Sequence, residues 1–252
     1  ETLTNFKQLL NEEIAFLNIL CPNGSFNQIE HLYKKSPTAA FYNRVVATQI
    51  KRHLHSQPAL KSISLLEIGA GIGATTHHVL PILAQINTEK HYTFSDISPA
   101  FLRHGQQSFQ SRYPFVQFAL FNITSPPGGQ VSAHEKFDVI LATNVLHATE
   151  DIEQSIKNVR DKLNPGGILV LNEGIHRRDF STFAYGFLEG WWLFKDQHNR
   201  IADSPLITQQ NWLRLLKKNQ FKCIETVNPF ENCQAITTSY QCVFIAKKES
   251  PS

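Results

Sequence analysis

Two polar side chains stand where apolar runs end, and between them they could handle a proton. His147 follows the run Asp138-Val139-Ile140-Leu141-Ala142, and Glu173 closes the run Ile168-Leu169-Val170-Leu171-Asn172. Histidine is the side chain whose unperturbed pKa lies nearest neutral pH, so a well-held His serves as a general base. If the two runs are neighbouring strands, both side chains meet at one rim. Glu173 then holds one ring nitrogen and leaves the other free, the orienting role an acid plays in a catalytic triad. The bland alternative is that His147 caps a helix or packs under a lid, with Glu173 paired to Arg177 or Arg178. Ion pairs of that sort are often merely structural.

A second group of residues has the chemistry of a nucleoside site. Leu65-Leu66-Glu67-Ile68-Gly69-Ala70-Gly71-Ile72-Gly73 joins an apolar run to a helical stretch, the context in which a glycine-rich loop carries meaning. Glycines admit positive φ and let a ligand touch the backbone, and the amides opening the next helix can receive an anion. Asp96 ends the following strand in Tyr92-Thr93-Phe94-Ser95-Asp96, at a distance suited to bonding both ribose hydroxyls. Asn122, after the third strand, could read an adenine edge, and Ile97, Ile123 and Asn144 are counted in the same pocket. Taken singly, the loop reads equally well as a tight turn, and Asp96 as a cap for the helix at Pro99.

The elements that must position these groups follow from periodicity. Short apolar runs at Ser64–Ile68, His91–Phe94, Val116–Leu120, Asp138–Ala142 and Ile168–Asn172 alternate with helical stretches at Ala74–Gln85, Pro99–Phe109 and Ile152–Leu163. Strands buried on both faces and separated by helices imply a parallel sheet with right-handed crossovers. The tail breaks the rhythm: Phe221–Val227 and Tyr240–Lys247 have no helix between them and suggest an antiparallel pair at the sheet edge. The first sixty residues read as helical. Phe6, Leu9, Leu10, Ile14, Phe16 and Leu17 recur near helical spacing, and a second helix opens after Ser36-Pro37. His176 to Lys218 is an insertion, rich in aromatics around Gly190-Trp191-Trp192.

Composition narrows the function classes. A chain of 252 residues, 42% hydrophobic, is long enough for one α/β domain with an appendage. A net charge of +3 without a basic stripe gives no support to nucleic-acid binding. No apolar run is long enough to span a membrane, and the N-terminus lacks the order of a signal peptide. Cys21, Cys223, Cys233 and Cys242 form no CxxC pair and no zinc spacing, so they read as reduced packing residues of a cytoplasmic protein. His77-His78 and the other histidines show no metal-ligand pattern. The chain holds no Met, and its start at Glu1 suggests a processed chain or a piece of a longer polypeptide.

The segment Phe137-Asp138-Val139-Ile140-Leu141-Ala142-Thr143-Asn144-Val145-Leu146-His147-Ala148-Thr149 carries a family resemblance. With Leu163-Asn164-Pro165-Gly166-Gly167, Leu169-Val170-Leu171-Asn172-Glu173, Ser95-Asp96-Ile97-Ser98 and Gly190-Trp191-Trp192, it closely resembles the C-methyltransferase domains of polyketide synthases, over about residues 30 to 247. The resemblance implies a class I methyltransferase fold: a Rossmann-like, doubly wound, mostly parallel seven-stranded sheet with an antiparallel last strand. Around that core, residues 61–252, it implies an N-terminal helical lid over 1–60 and a substrate lid at about 176–218.

It further implies S-adenosylmethionine as cofactor, with S-adenosylhomocysteine as its product. The acceptor would be a β-ketoacyl chain on the phosphopantetheine arm of an acyl carrier protein, amid the flanking domains of a megasynthase. Carbon methylation needs an α-proton removed, and two flanking carbonyls acidify it enough for a His base. In the resembled family His147 and Glu173 match a catalytic dyad, and a lid tyrosine bonds the enolate oxygen, here Tyr33 or Tyr42. Tyr33 is taken as catalytic and Tyr42 as substrate-binding, with Trp191 and Trp192 walling the acyl pocket. Lys34, Lys35, Arg177 and Arg178 could meet an acidic carrier. Asn122-Ile123 departs from the family, where an Asp-containing turn is usual. A freestanding O- or N-methyltransferase and an inactive spacer domain are the alternatives.

Overall fold

Five apolar runs in the middle of the chain form the parallel centre of one sheet. The computed structural model describes residues 4–11, 13–22, 25, 26, 30, 36–57, 61–125, 131, 135–228 and 240–249. In it β1 (Ser62–Ile68), β2 (Glu89–Asp96), β3 (Val116–Leu120), β4 (Phe137–Thr143) and β5 (Leu163–Gly174) are mutually parallel. The tail supplies β6 (Phe221–Val227) and β7 (Gln241–Lys248) as an antiparallel pair. The order is β3-β2-β1-β4-β5-β7-β6. β7 therefore lies antiparallel between β5 and β6, so the tail pair extends the sheet as expected and β6 becomes its edge. Two-residue alternation sends successive side chains to opposite faces, and both faces are covered.

One face packs Leu66, Ile140, Leu169 and Leu171 against α6 (Ile152–Lys162) and α8 (Gln209–Lys218), through Ile156, Trp212 and Leu215. The other packs Leu65, Val139, Leu141 and Val170 against α3 (Pro37–Ser56) and α4 (Thr76–Ala84), through Val46, Ile50, Val79 and Leu83. Each such side chain, taken from water, contributes roughly 1.5–3 kcal/mol. The helix α5 (Pro99–Phe109) links β2 to β3.

Helix α3 starts as the Ser-Pro pair dictates. Ser36 is the N-cap, its Oγ accepting from the Ala39 amide at 3.4 Å, and Pro37 takes the first helical position. Asn43, Val46, Ala47, Ile50 and Leu54 then line its buried stripe. The expected division at residue 60 puts α3 with the lid, yet its stripe shares one apolar cluster with the sheet.

A separate, smaller cluster joins the N-terminal segment to the insertion. The expected first helix is broken into α1 (Phe6–Leu10) and α2 (Phe16–Leu20). The break comes at Asn11, whose side-chain amide turns to Glu13, while the Glu13 amide reaches back to the Gln8 carbonyl in a wide terminating turn. Leu9, Phe16 and Ile19 pack with Phe187 and Leu188, beyond α7 (Asp179–Tyr185), and Phe6 stacks on Phe183 at 5.4 Å. Among the described residues no helix is long and apolar enough to cross a membrane.

Candidate active site

Parallel strands end on a common edge, and every group singled out above for chemistry that the structure describes, apart from Tyr42 and the two tryptophans, lies at or just beyond a strand end there. Chain order departs in one direction from β1 to β2 and β3, and in the other from β4 to β5. The crevice at such a switch point is where doubly wound sheets take ligands.

On the β1–β2 side the glycine loop turns with φ of +60° at Gly69, +56° at Gly71 and +72° at Gly73. A Cβ on Gly71 would meet no atom within 4 Å, so the open face of the loop lies there. The Gly71 amide donates to Asp96 Oδ2 at 2.9 Å, and the Ser98 amide to Oδ1 at 2.8 Å. Burial pushes the Asp96 carboxyl up, against the pull of these amides. An ionised carboxylate accepts about four hydrogen bonds, and with the Ile97 amide also on Asp96 about one position remains for a ribose hydroxyl. Ile97 beside it is 68% exposed, an apolar surface suited to one face of an aromatic base. Open loop, acid and exposed Ile together fit a nucleoside cofactor.

Glu67 sits beneath this loop rather than on its open face, because Oε2 accepts from both Thr76 and the Tyr92 hydroxyl (2.5 Å from Tyr92). Burial raises its pKa to about 7, despite those two bonds. Ile123 turns into the core and Asn122 stays at the surface, its side-chain oxygen taken by the Thr124 amide and hydroxyl. Asn122 therefore keeps only its side-chain NH₂ for an adenine edge.

On the β4–β5 side, strand β4 is followed at once by Asn144, whose φ of +53° turns the chain sharply. The turn aims the Val145 and Leu146 amides at Glu173 Oε1, at 3.1 and 2.9 Å. Glu173 Oε2 lies 2.6 Å from His147 Nδ1. Glu173 is wholly buried; as a carboxylate it only accepts, and Nδ1 is then the donor of the pair. The lone pair is thereby fixed on Nε2. Arg177 pairs instead with Asp179 and Asp203, and Arg178 lies 3.6 Å over the Tyr240 ring, so neither takes Glu173.

The two sides touch: a Cβ on Gly69 would meet Val145 Cγ2 at 2.6 Å. Asn144 is steadied by Gln241 on β7, whose side-chain NH₂ donates to its Oδ1 at 3.0 Å. Tyr42 joins this support. It is buried in the core, and its hydroxyl donates to the Gln241 carbonyl at 3.0 Å, so it braces the site from behind instead of facing an acceptor. Tyr33, Lys34 and Lys35 lie outside the described residues.

The tryptophan pair divides. Trp191 is buried edge-on to the His147 ring at 5.9 Å, with Tyr185 stacked on it at the same distance. Trp192 turns outward, half exposed, its indole N–H donating to the Gly186 carbonyl. A wall role for Trp192 is thus corrected: the short turn at Glu189–Trp191 lets one indole inward. Thr76, Tyr92, Gln241, Asp196 and Arg200 also support the rim, and motif and spacing offer little sign of them. Only Tyr92, in the apolar run of its strand, and the i,i+4 spacing of Asp196 and Arg200 offered any signal.

Residues 66–169 match the family model described as a methyltransferase domain. The chain is 34% identical over 221 residues to the polyketide synthase ThaG of Burkholderia thailandensis, a match covering 87% of this chain and 4% of that synthase. Among solved structures it resembles the CurJ carbon methyltransferase, at 35% identity and a TM-score of 0.89, covering 98% of this chain and 64% of that one. It also resembles the trans-methyltransferase CalH, solved in complex with S-adenosylhomocysteine, at 25% identity and a TM-score of 0.75, covering 98% and 65%. Fold and rim define an S-adenosylmethionine-dependent methyltransferase domain. Within that class the chain belongs with the C-methyltransferase domains of polyketide synthases.

Proposed function

We propose that this domain methylates the α-carbon of a β-ketoacyl chain borne on the phosphopantetheine arm of an acyl carrier protein. The observation that carries the reading is the 2.6 Å pair of His147 Nδ1 and Glu173 Oε2, with Glu173 held in turn by two backbone amides. A base fixed in one tautomer beside a nucleoside-shaped crevice is what carbon methylation asks of a protein. Methyl transfer to oxygen or nitrogen needs no proton taken from carbon.

S-adenosylmethionine, when bound, supplies an electrophilic methyl on a sulfonium that leaves as a neutral thioether. Gly69, Gly71 and Gly73 with Asp96 would hold it, Ile97 would lie along the adenine, and Asn122 and Asn144 would flank it. His147 Nε2 would take the α-proton, leaving the electron pair of that C–H bond on carbon as the nucleophile for the methyl that the cofactor would supply. Glu173 keeps its bond to Nδ1 and would stabilise the imidazolium that results. Trp191 covers the ring and keeps water from the carbanion.

The test is to incubate the chain with labelled S-adenosylmethionine and an acetoacetyl-carrier protein, then weigh and fragment the acyl arm. A single added methyl on the α-carbon is expected. Methyl on oxygen, or cofactor binding without turnover, overturns the reading.

A further inference from the structure

We propose that Arg200, paired with Asp196, is a positioning residue for His147; the proposal rests on the C-methylation reading above. Both belong to the insertion, in a stretch with no other tie to the reaction. The Arg200 side chain is wholly buried, and each of its three nitrogens donates. Nε bonds Asp196 Oδ1 at 2.7 Å, Nη2 bonds the Thr149 carbonyl at 3.0 Å, and Nη1 bonds the carbonyls of His147 at 2.7 Å and Pro205 at 2.8 Å. The second Asp196 oxygen accepts from the Ile152 amide at 3.1 Å, and the Lys195 amide donates to the Glu150 carbonyl at 2.8 Å. Residues 147 to 152 thus hang from residues 195 to 200 by main-chain and side-chain bonds together.

Stability alone gives a poor account of this pair. Burying two charges costs about as much as their attraction returns, and well-packed apolar groups often serve as well or better. What an apolar pair cannot do is bond the backbone. Leu146–Ala148 is a single 3₁₀ turn, whose last carbonyls have no helical partner, and Ile152 opens α6 with an amide that has no partner within the helix. The planar guanidinium offers donors in a fixed fork, and here it bonds the carbonyl of His147 itself. Glu173 alone would let the imidazole pivot about Nδ1. Fixing the main chain of the same residue sets the direction in which Nε2 points. Arg214 extends the frame from α8, donating to Asn199 Oδ1 at 2.7 Å.

Two variants test this. Arg200→Lys keeps the charge and loses the fork; Asp196→Asn with Arg200→Gln removes both charges, so neither is left unpaired. For each, kcat for methyl transfer should fall by about 100-fold, the scale of a base misplaced by about 1 Å. S-adenosylhomocysteine affinity and the KM for S-adenosylmethionine should stay within about twofold, as for loss of an interaction specific to the transition state. In NMR spectra of the free protein, His147 should keep the proton on Nδ1 in wild type and variants alike, while its ring signals are single and sharp in the wild type and broadened by exchange between orientations in the variants. A folded variant that keeps wild-type kcat and the single, sharp ring signals overturns the proposal. If both variants fail to fold, native-state hydrogen exchange of the wild type decides. Ile152 should be protected like the sheet amides, and loop-like exchange there overturns the clamp. The spectra and the exchange need no acceptor. Failure of the wild type to methylate the β-ketoacyl carrier is therefore a separate result, and it sinks the C-methylation reading instead.

Discussion

On the β1–β2 side of the rim a single strand-loop-helix-strand unit supplies both the glycines and Asp96, and the working bonds run from backbone amides to one carboxylate. On the β4–β5 side the turn after β4, the end of β5 and the insertion each supply a part, and beside the two amides on Glu173 the bonds run between side chains or from side chains to carbonyls. Backbone amides are present whatever the residue, so the first side needs only the right conformation and one acid. The second needs each named side chain, because a lone imidazole without its partners has neither a set tautomer nor a set direction. One side is local and tolerant of identity; the other is assembled and is not.

Substitutions on the assembled side should have the largest effect. His147→Ala is expected to lower methyl transfer by ~10²- to 10⁴-fold, and Glu173→Gln by a comparable factor, since the amide leaves Nδ1 without an anion. Calorimetry with S-adenosylhomocysteine should find binding unchanged in both. Turnover at the wild-type rate in His147→Ala would dissolve the distinction between the two sides.

The local side is sharpened by two glycines with different surroundings. Gly71→Ala puts a methyl into open space at φ +56°, so the fold should lose only about 1–2 kcal/mol of backbone strain. Cofactor-product affinity should fall by more than tenfold, on the order of a lost backbone approach. Gly73→Ala drives its methyl into the Phe109 ring, so it should lower the unfolding midpoint more. Equal affinity in Gly71→Ala and the wild type would remove the loop from the binding site.

Beneath the loop the expected effect is a pH dependence. Glu67 is raised from 4.5 to about 7 by burial, so between those values the folded chain holds a proton that the unfolded chain has lost. Its contribution is complete below about pH 4.5 and is lost as pH rises through about 7, roughly 3 kcal/mol in all. Glu67→Gln should flatten this slope. Midpoints recorded from pH 5 to pH 8 should converge at the acid end and favour the variant at the alkaline end. An unchanged slope would show that Glu67 does not titrate there.

The local side was largely legible before any coordinates. Gly69, Gly71, Gly73 and Asp96 stand in order along one stretch, and periodicity alone puts them at strand ends. His147 and Glu173 were legible as candidates because each closes an apolar run. Whether they met depended on β4 and β5 being neighbours, and residue types could not separate that pairing from one with Arg177 or Arg178. Tyr42 and Trp192 show the limit most plainly. An aromatic near a site reads the same whether its polar atom faces the crevice or a carbonyl behind it. Tyr42 bonds Gln241, and Trp192 bonds Gly186.

By itself the sequence determined the order of strands and helices, the tight loop after β1, the acid ending β2 and the two residue types able to pass a proton. Those follow from periodicity and backbone sterics, which act over a few residues. Only the tertiary structure decided that Glu173 takes the Nδ1 side of His147, that Trp191 turns in while Trp192 turns out, and that Arg200 reaches the carbonyl of His147 from a distant loop. The reason is physical: directional bonds of about 3 Å between distant segments depend on how the layers pack, and packing is a property of the whole chain.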